Sequence, residues 1–331
     1  MSGALEAAAR AAALALALAI GGGWLAELDL VASPLRPVAL LGWLADSLAQ
    51  FQLVYGAALA LVLAVFALRR RWRAVLLCVP LAAAVGIRLW PYAGPLMAPA
   101  HAAGGTEIRV AALNLWFRNE HPQSIAAWIA ENAPDILVLS EATREMRVAL
   151  SPVLARYPHQ LGTFGGPRAD VLVLSRLPLT PLPIGGRGEA EYMIQARACW
   201  VEGTREGRPR CLRLIAAHLP SPVSPGRVVA RDRMLALIGE TLADAGDESR
   251  LVMGDLNTTP WAPGFRAMVA SAGLVDSAAG RRPRPTWNAR LPVAVVPIDH
   301  ILVGGPLAVV ARDVGPFVDS DHLPVSARLR L

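Results

Sequence analysis

VMGDLN, at residues 252–257, is the stretch from which the rest of the chain is best read. An apolar run ends in Gly254, and two polar side chains follow at Asp255 and Asn257. On extended backbone the i, i+2 spacing puts both on one side, and Gly254 permits a close backbone approach. Alone, the stretch fits a turn equally well, with Asp and Asn capping backbone groups. The pattern, however, recurs. ALNLW (112–116) carries Asn114, LVLSE (137–141) ends on Glu141, and AAHLP (216–220) carries His218. PIDHILV (297–303) opens on Asp299, and SDHLP (320–324) holds Asp321 and His322. Nearly all of these groups sit at the end of a β-like apolar run. Such a set implies a site along one edge of a sheet. Gathered carboxylates repel one another unless a hard cation lies among them, which points to metal-assisted phosphate chemistry.

The surrounding segments read as mixed α and β. Strands are expected at 108–115, 136–139, 171–174, 194–202, 211–217, 251–253, 298–303, 308–314 and 325–329. Helices are expected at 122–132, just after Glu141, at 225–244 and at 264–271. Strands mixed with helices and β-hairpins argue for α+β or α/β with a two-sheet core. There is no zinc-type Cys/His spacing, no P-loop and no G-x-S-x-G.

The first hundred residues differ in kind. The chain of 331 residues is 54% hydrophobic, and the excess is concentrated here. Phe51–Leu68 and Ala74–Trp90 are each long and apolar enough to cross, or nearly cross, a bilayer. Between them lies RRRWR, residues 69–73, so the pair forms a hairpin around a basic loop. The positive-inside tendency puts that loop in the cytoplasm and the domain after residue 100 outside, in a cell's inner membrane. The run 11–26, extending to about 30, reads as a further span, with a signal-peptide core as the alternative. Leu35–Ala49 is amphipathic and suits the interface. Residues 93–106 read as a linker, and 107–331 as one domain large enough for a sizeable core.

The ordered set LNLW, LSE, AHLP, GDLN, IDHILV and SDHLP resembles the endonuclease/exonuclease/phosphatase superfamily, the DNase I-like fold. The resemblance covers 107–331 and implies an α/β fold, a four-layer α/β sandwich with the site at one end of two packed sheets. The membrane-anchored layout looks like bacterial members with N-terminal spans. By resemblance, Glu141 is the principal metal carboxylate, with Asn114 beside it and Asp321 as a second metal-side carboxylate. Mg²⁺ is the implied ion, with Mn²⁺ as the alternative. Asp255 would orient or deprotonate the attacking water, and Asn257 would hydrogen-bond the phosphate. His322 would face the phosphate, held and kept protonated by Asp299. His218 would contact phosphate or protonate the leaving oxygen. His300, next to Asp299, points the other way on a strand and reads as structural. Arg197 falls where some members place a basic residue. Asp170 and Trp116 depart from the pattern; Trp116 replaces a second metal-side acid of some nucleases and favours one metal.

The formal charge is +6, every basic residue is Arg, and residues 1–100 hold seven Arg against four acids. What remains on the C-terminal domain is too little for a DNA-binding face. Arg281, Arg282 and Arg284 form its one compact basic patch and read as a solvated loop. Cys199 and Cys211 face each other if the intervening turn centres on Arg205, and a disulfide or two free thiols both fit. The implied activity is hydrolysis of phosphodiesters, or phosphomonoesters, with a nuclease the leading label and a phospholipid or inositol-phosphate esterase the alternative. From another class, a catalytically silent membrane-tethered binding module also stands. The implied partners are the phosphate ester and the lipid bilayer; nothing in the sequence calls for a protein partner.

Overall fold

A computed structural model describes residues 2–92, 94, 106–163, 171–186, 188–189, 191–200, 210–246, 248–291 and 295–330. Asp170, the turn around Arg205 and most of the 93–106 linker lie outside the described residues.

After the linker the chain alternates strands and helices: β1 (Glu107–Asn114), α5 (Pro122–Asn132), β2 (Ile136–Ser140), α6 (Arg144–Leu154), β3 (His159–Gly162), β4 (Val171–Ser175) and β5 (Leu179–Leu182). It continues through β6 (Met193–Trp200), β7 (Arg210–His218), α7 (Pro225–Ala243), β8 (Ser249–Asp255), α8 (Pro263–Ser271) and β9 (Leu274–Asp276). It closes with β10 (Asp299–Gly304), β11 (Ala308–Val314) and β12 (Val325–Arg330). The first sheet has the order β11-β12-β1-β2-β4-β3, and the second β5-β6-β7-β8-β10-β9.

Each sheet is built around one parallel pair. β1 and β2 run parallel with Asn114 beside Ser140. β7 and β8 run parallel with His218 beside Asp255. The helices α5 and α7 provide the crossovers that parallel neighbours require. Alternate residues divide the apolar load. Ile108, Val110 and Ala112 of β1 and Leu212, Leu214 and Ala216 of β7 meet in the core between the sheets. Ala111 and Leu113 turn outward onto α5 and α6, and Ile215 and Ala217 onto α7 and α8. The result is four layers, helix–sheet–sheet–helix. Each fully buried Leu or Ile in it is worth about 1.5–3 kcal/mol. Strands buried on both faces read as unbroken apolar runs, which is why they stand out in the sequence.

Three strands escape the sequence reading: β3, β5 and β9. Each lies at a sheet edge and is only three or four residues long. The first two are half exposed, and Pro181 sits in β5, where only an edge tolerates it.

Ahead of the sandwich stand α1 (Ser2–Trp24), α2 (Arg36–Ala49), α3 (Gln52–Leu68) and α4 (Trp72–Leu89). α1 starts nine residues before the expected 11 and ends at Trp24, because Leu25–Leu28 tightens into a 3₁₀ turn. Helices α1 and α4 are long and apolar enough to cross a membrane; α2 and α3 together, bent by 66°, would make a third. α1, α3 and α4 share a core around Ile20, Leu59, Phe66 and Cys78. Their outer faces expose Leu18, Leu61, Leu68, Leu76 and Leu77, an apolar exterior that water would penalise.

α2, read from the sequence as an interfacial helix, packs against the catalytic domain. Gly42, Ala45, Asp46 and Ala49 form one buried stripe, and Asp46 grips the buried Arg231 of α7 at 2.8 and 3.2 Å. Gln50 Oε1 accepts from both the amide and the hydroxyl of Thr259 at 2.9 and 2.8 Å. Trp261 Nε1 donates to the Gln50 carbonyl at 2.9 Å, and Trp43 Nε1 to that of Pro222 at 2.8 Å. The apolar region is therefore bolted to the loops that follow β7 and β8.

Candidate active site

The carboxyl ends of the two parallel pairs meet at one end of the sandwich. Asn114, ending β1, donates through Nδ2 to Glu141 at 3.1 Å and to Asp255, ending β8, at 3.0 Å. One amide thus ties the sheets together at the site. Its Oδ1 accepts from the Trp116 amide at 2.9 Å.

Glu141 has φ 54° and Asn257 φ 49°. Left-handed backbone costs a non-glycine residue about 1–3 kcal/mol, and it collects at functional sites. Here it turns both side chains inward. Glu141 accepts the Phe117 amide at 2.8 Å. Asn257 donates its backbone N–H to Asp255 at 2.9 Å and its side chain to the Leu219 carbonyl at 2.8 Å. Gly254, with φ 133°, lies so close to β7 that a Cβ would meet the Ala217 carbonyl oxygen at 2.0 Å. Only glycine lets β8 deliver Asp255 there.

Opposite, His322 Nδ1 lies 2.9 Å from Asp299 Oδ2, and its Nε2 lies 3.8 Å from Asp255. Burial alone would lower the pKa of this ring, but the Asp299 and Asp255 carboxylates outweigh it and push it up to about 10. His322 is thus an imidazolium. Burial raises the pKa of Asp255, and the Asp299 charge adds to it, while His322 and His218 offset only part. His218 Nε2 lies 3.7 Å from both Glu141 and Asp255. Burial likewise raises Asp321, and the Glu141 charge works in the same direction against His322 and the Trp287 hydrogen bond.

All eight sequence-derived residues, Asn114, Glu141, His218, Asp255, Asn257, Asp299, Asp321 and His322, come together in this cleft. His300 faces away: its Nε2 lies 2.9 Å from the Thr258 carbonyl, and its ring packs on Phe265 at 4.6 Å. Arg197 does not join them. It pairs with Glu248 at 3.2 Å, at the far end of β8, because its position is four residues from the site end of β6. In the basic patch Arg282 and Arg284 are exposed, as a solvated loop would have them; Arg284 pairs with the exposed Asp313, and Arg281 donates to the Val309 carbonyl. Trp116 lies under the Arg290 guanidinium, 4.6 Å from its ring. Cys199 and Cys211 are in register across β6 and β7 and form a disulfide.

Several supporting groups were not legible in the sequence. Ser320 Oγ donates to the Asn114 carbonyl and accepts from the His322 amide at 2.7 and 3.0 Å. Thr286 Oγ1 receives the Ile298 and Asp299 amides at 3.2 and 3.3 Å. Trp287 Nε1 donates to Asp321 at 3.2 Å. Ser320 lay inside the SDHLP stretch; Thr286 and Trp287 gave no signal.

Among the described residues, Asp255, Asp299 and His322 offer ligand atoms within 4.8 Å of one another. A second place is suggested by Glu141, whose charge acts on Asp321, and by the Asp321 Oδ1, buried without a hydrogen-bond partner. The donors are mostly oxygens, which suits a hard divalent ion.

Residues 111–322 match the profile of the Endonuclease/Exonuclease/phosphatase family. Among curated proteins, none matches significantly. Solved structures do. An endonuclease/exonuclease/phosphatase from Beutenbergia cavernae is 22% identical, with TM-score 0.51, over 68% of this chain and 72% of its own. Humanized D. rerio TDP2 is 16% identical, with TM-score 0.53, over 68% of this chain and 99% of its own. Sphingomyelinase C from Streptomyces griseocarneus is 18% identical, with TM-score 0.50, over 67% of this chain and 99% of its own. At such identities the likeness is one of fold. Members of the family are divalent-metal-dependent hydrolases of phosphate esters. From its strand order, its converging site and this match, the chain belongs to the endonuclease/exonuclease/phosphatase family.

Proposed function

We propose that this chain is a membrane-anchored, Mg²⁺-dependent phosphodiesterase. Residues 1–92 form the anchor and 107–331 the catalytic domain, facing outward from the inner membrane. The observation that carries the reading is the Asp299–His322 pair poised over Asp255, across from Asn114 and Glu141.

Asp255, with its raised pKa and fixed by the Asn257 amide, takes a proton from the attacking water. The oxygen attacks phosphorus in line, and the opposite P–O bond breaks. His322, charged and fixed by Asp299, faces the negative charge that builds on the phosphate oxygens. Asn257 holds a phosphate oxygen, and His218 protonates the departing alkoxide. Glu141, Asp321 and Asn114 are the set that would hold the ion; the imidazolium of His322 is a poor ligand, which argues against the Asp255–Asp299–His322 position. When bound, Mg²⁺ neutralises phosphate charge.

The basic run at 69–73 supports the orientation. So does the Cys199–Cys211 disulfide, which suits an oxidising compartment. The test is hydrolysis of bis(p-nitrophenyl) phosphate by the full chain, with Mg²⁺ or with chelator, alongside Asp255→Ala. Turnover that needs metal and is lost in the variant supports the reading. Activity surviving Asp255→Ala would sink the assignment of roles. A folded chain that binds metal without turnover would favour the silent binding module.

A further inference from the structure

The catalytic cleft opens at the end of the sandwich that is bolted to the apolar N-terminal region. Arg231 carries this link most directly: it binds Asp46 of α2 at 2.8 Å and lies 3.4 Å from the Asn257 carbonyl. The segment expected to meet the bilayer surface is thus one side chain removed from the site.

The exposed face of α2 continues the theme. Opposite its buried stripe, Leu40, Leu41 and Leu44 are exposed at helical spacing. Trp43 then bonds Pro222, and the next residue, Val223, is 69% exposed on the loop following His218. Among the described residues, the large apolar side chains exposed in loops of the catalytic domain are Phe117, Val223, Leu291 and Phe317. Each loop serves the site. The Phe117 amide binds Glu141. The loop of Leu291 bonds the Asp321 carbonyl through Ala289 at 2.7 Å. Phe317 precedes Ser320 and His322. The remaining exposed apolar residues sit on α6, α7 and β9. Two guanidiniums stand among the rim residues: Arg118 beside Phe117, and Arg290 over Trp116.

An apolar rim with a few cations, contiguous with membrane helices and enclosing a phosphate-cleaving site, matches a bilayer surface with its phosphates at the mouth. Aromatic rims with arginines also bind single-stranded nucleic acid by stacking. Val223, Leu291 and the α2 leucines cannot stack, and they are what tips the choice.

Resting on the phosphodiesterase reading, we infer that the substrate is a lipid phosphodiester, taken from the bilayer in which the chain is anchored. Water adds to phosphorus and one P–O ester bond breaks. The departing oxygen takes the proton, which leaves a phosphomonoester and an alcohol, one of them still lipid-bound.

The experiment uses the full chain reconstituted in vesicles of phosphatidylethanolamine, phosphatidylglycerol and phosphatidylinositol. Lipid hydrolysis, hydrolysis of single-stranded DNA and hydrolysis of bis(p-nitrophenyl) phosphate are compared. We expect lipid turnover at least about tenfold above DNA turnover at equal phosphate. The Val223→Ser/Leu291→Ser variant should lose about tenfold on lipid and keep its rate on the soluble diester. A fluorophore at Val223→Cys, in a Cys78→Ser background, reads the geometry without catalysis, and doxyl-labelled lipid should quench it. Turnover of the soluble diester and DNA with none on lipid overturns the inference alone. So does an unquenched label, or a rim variant that keeps its lipid rate. No turnover of the soluble diester removes the reading beneath it.

Discussion

The two sheets present the same scaffold, a parallel pair with an antiparallel strand on each side, yet they end in different chemistry. The first contributes Asn114 and Glu141, and Glu141 stays partly exposed. The second contributes His218, Asp255 and Asp299, all buried and each within 4 Å of another ionisable site group. One sheet thus offers a carboxylate with access to solvent and cations. The other sets proton positions through burial and charge pairing. Under the proposed function, this common architecture divides into a cation side and a proton side, and His322, from the loop before β12, belongs with the second through Asp299.

The largest effects should come from breaking the proton side. His322→Ala is expected to lower kcat on the soluble diester by about 10³-fold, the scale of losing a charged group aimed at the transition state. The apparent affinity for Mg²⁺, read from thermal stabilisation by the ion, should stay within about threefold. A large loss of metal affinity would mean that the ion sits in the Asp255–Asp299–His322 cluster instead. Glu141→Gln should do the reverse. Apparent Mg²⁺ affinity should fall about 10–100-fold, the range seen when metal-supporting carboxylates are altered, and high Mg²⁺ should restore much of the rate. If saturating metal restores nothing, the division between the sheets fails.

A finer test is pH. With His322 pushed up to about 10 by Asp299 and Asp255, the rate should hold on the alkaline side until about pH 10. Asp299→Asn removes the closest cause, so the alkaline limb should move down by a unit or more, toward the roughly 6.5 of a free histidine. Stability follows the same sign. The folded pKa lies above the unfolded one, so the contribution is complete below about 6.5 and fades as pH rises through about 10. An unchanged limb in Asp299→Asn would assign the alkaline group elsewhere.

What the sequence made legible follows from the physics of each element. The central strands are buried on both faces and show as apolar runs; β3, β5 and β9, short edge strands, need little apolar length and left no such mark. Most site residues were legible because they border such a run: Asn114, His218 and Asp255 end one, and Asp299 opens one. The supports at Thr286 and Trp287 were not, since they act across 12 and 34 residues from irregular backbone. Arg231 did leave a trace: it occupies the helical stripe Val228, Arg231, Leu235, Ile238, Leu242. A charge on an apolar stripe demands a buried partner, but only the fold identifies it as Asp46 of a different region.

The smallest expected effect on rate concerns the residue beside Asp299. His300 is as buried as its neighbour and shares its strand, so proximity in sequence would assign it to the site. The pleat sends it the other way. There it bonds the Thr258 carbonyl, approaches Asp276 at 3.5 Å and packs on Phe265. His300→Gln keeps a donor but loses the ring, and is expected to cost about 1–3 kcal/mol in unfolding while kcat stays within about twofold. Thermal unfolding and turnover measured on one preparation separate the two. A stable variant with a crippled rate would move His300 onto the proton side. An unstable variant with a normal rate would show that the side of the strand, rather than the residue type, decides which histidines do chemistry in the second sheet.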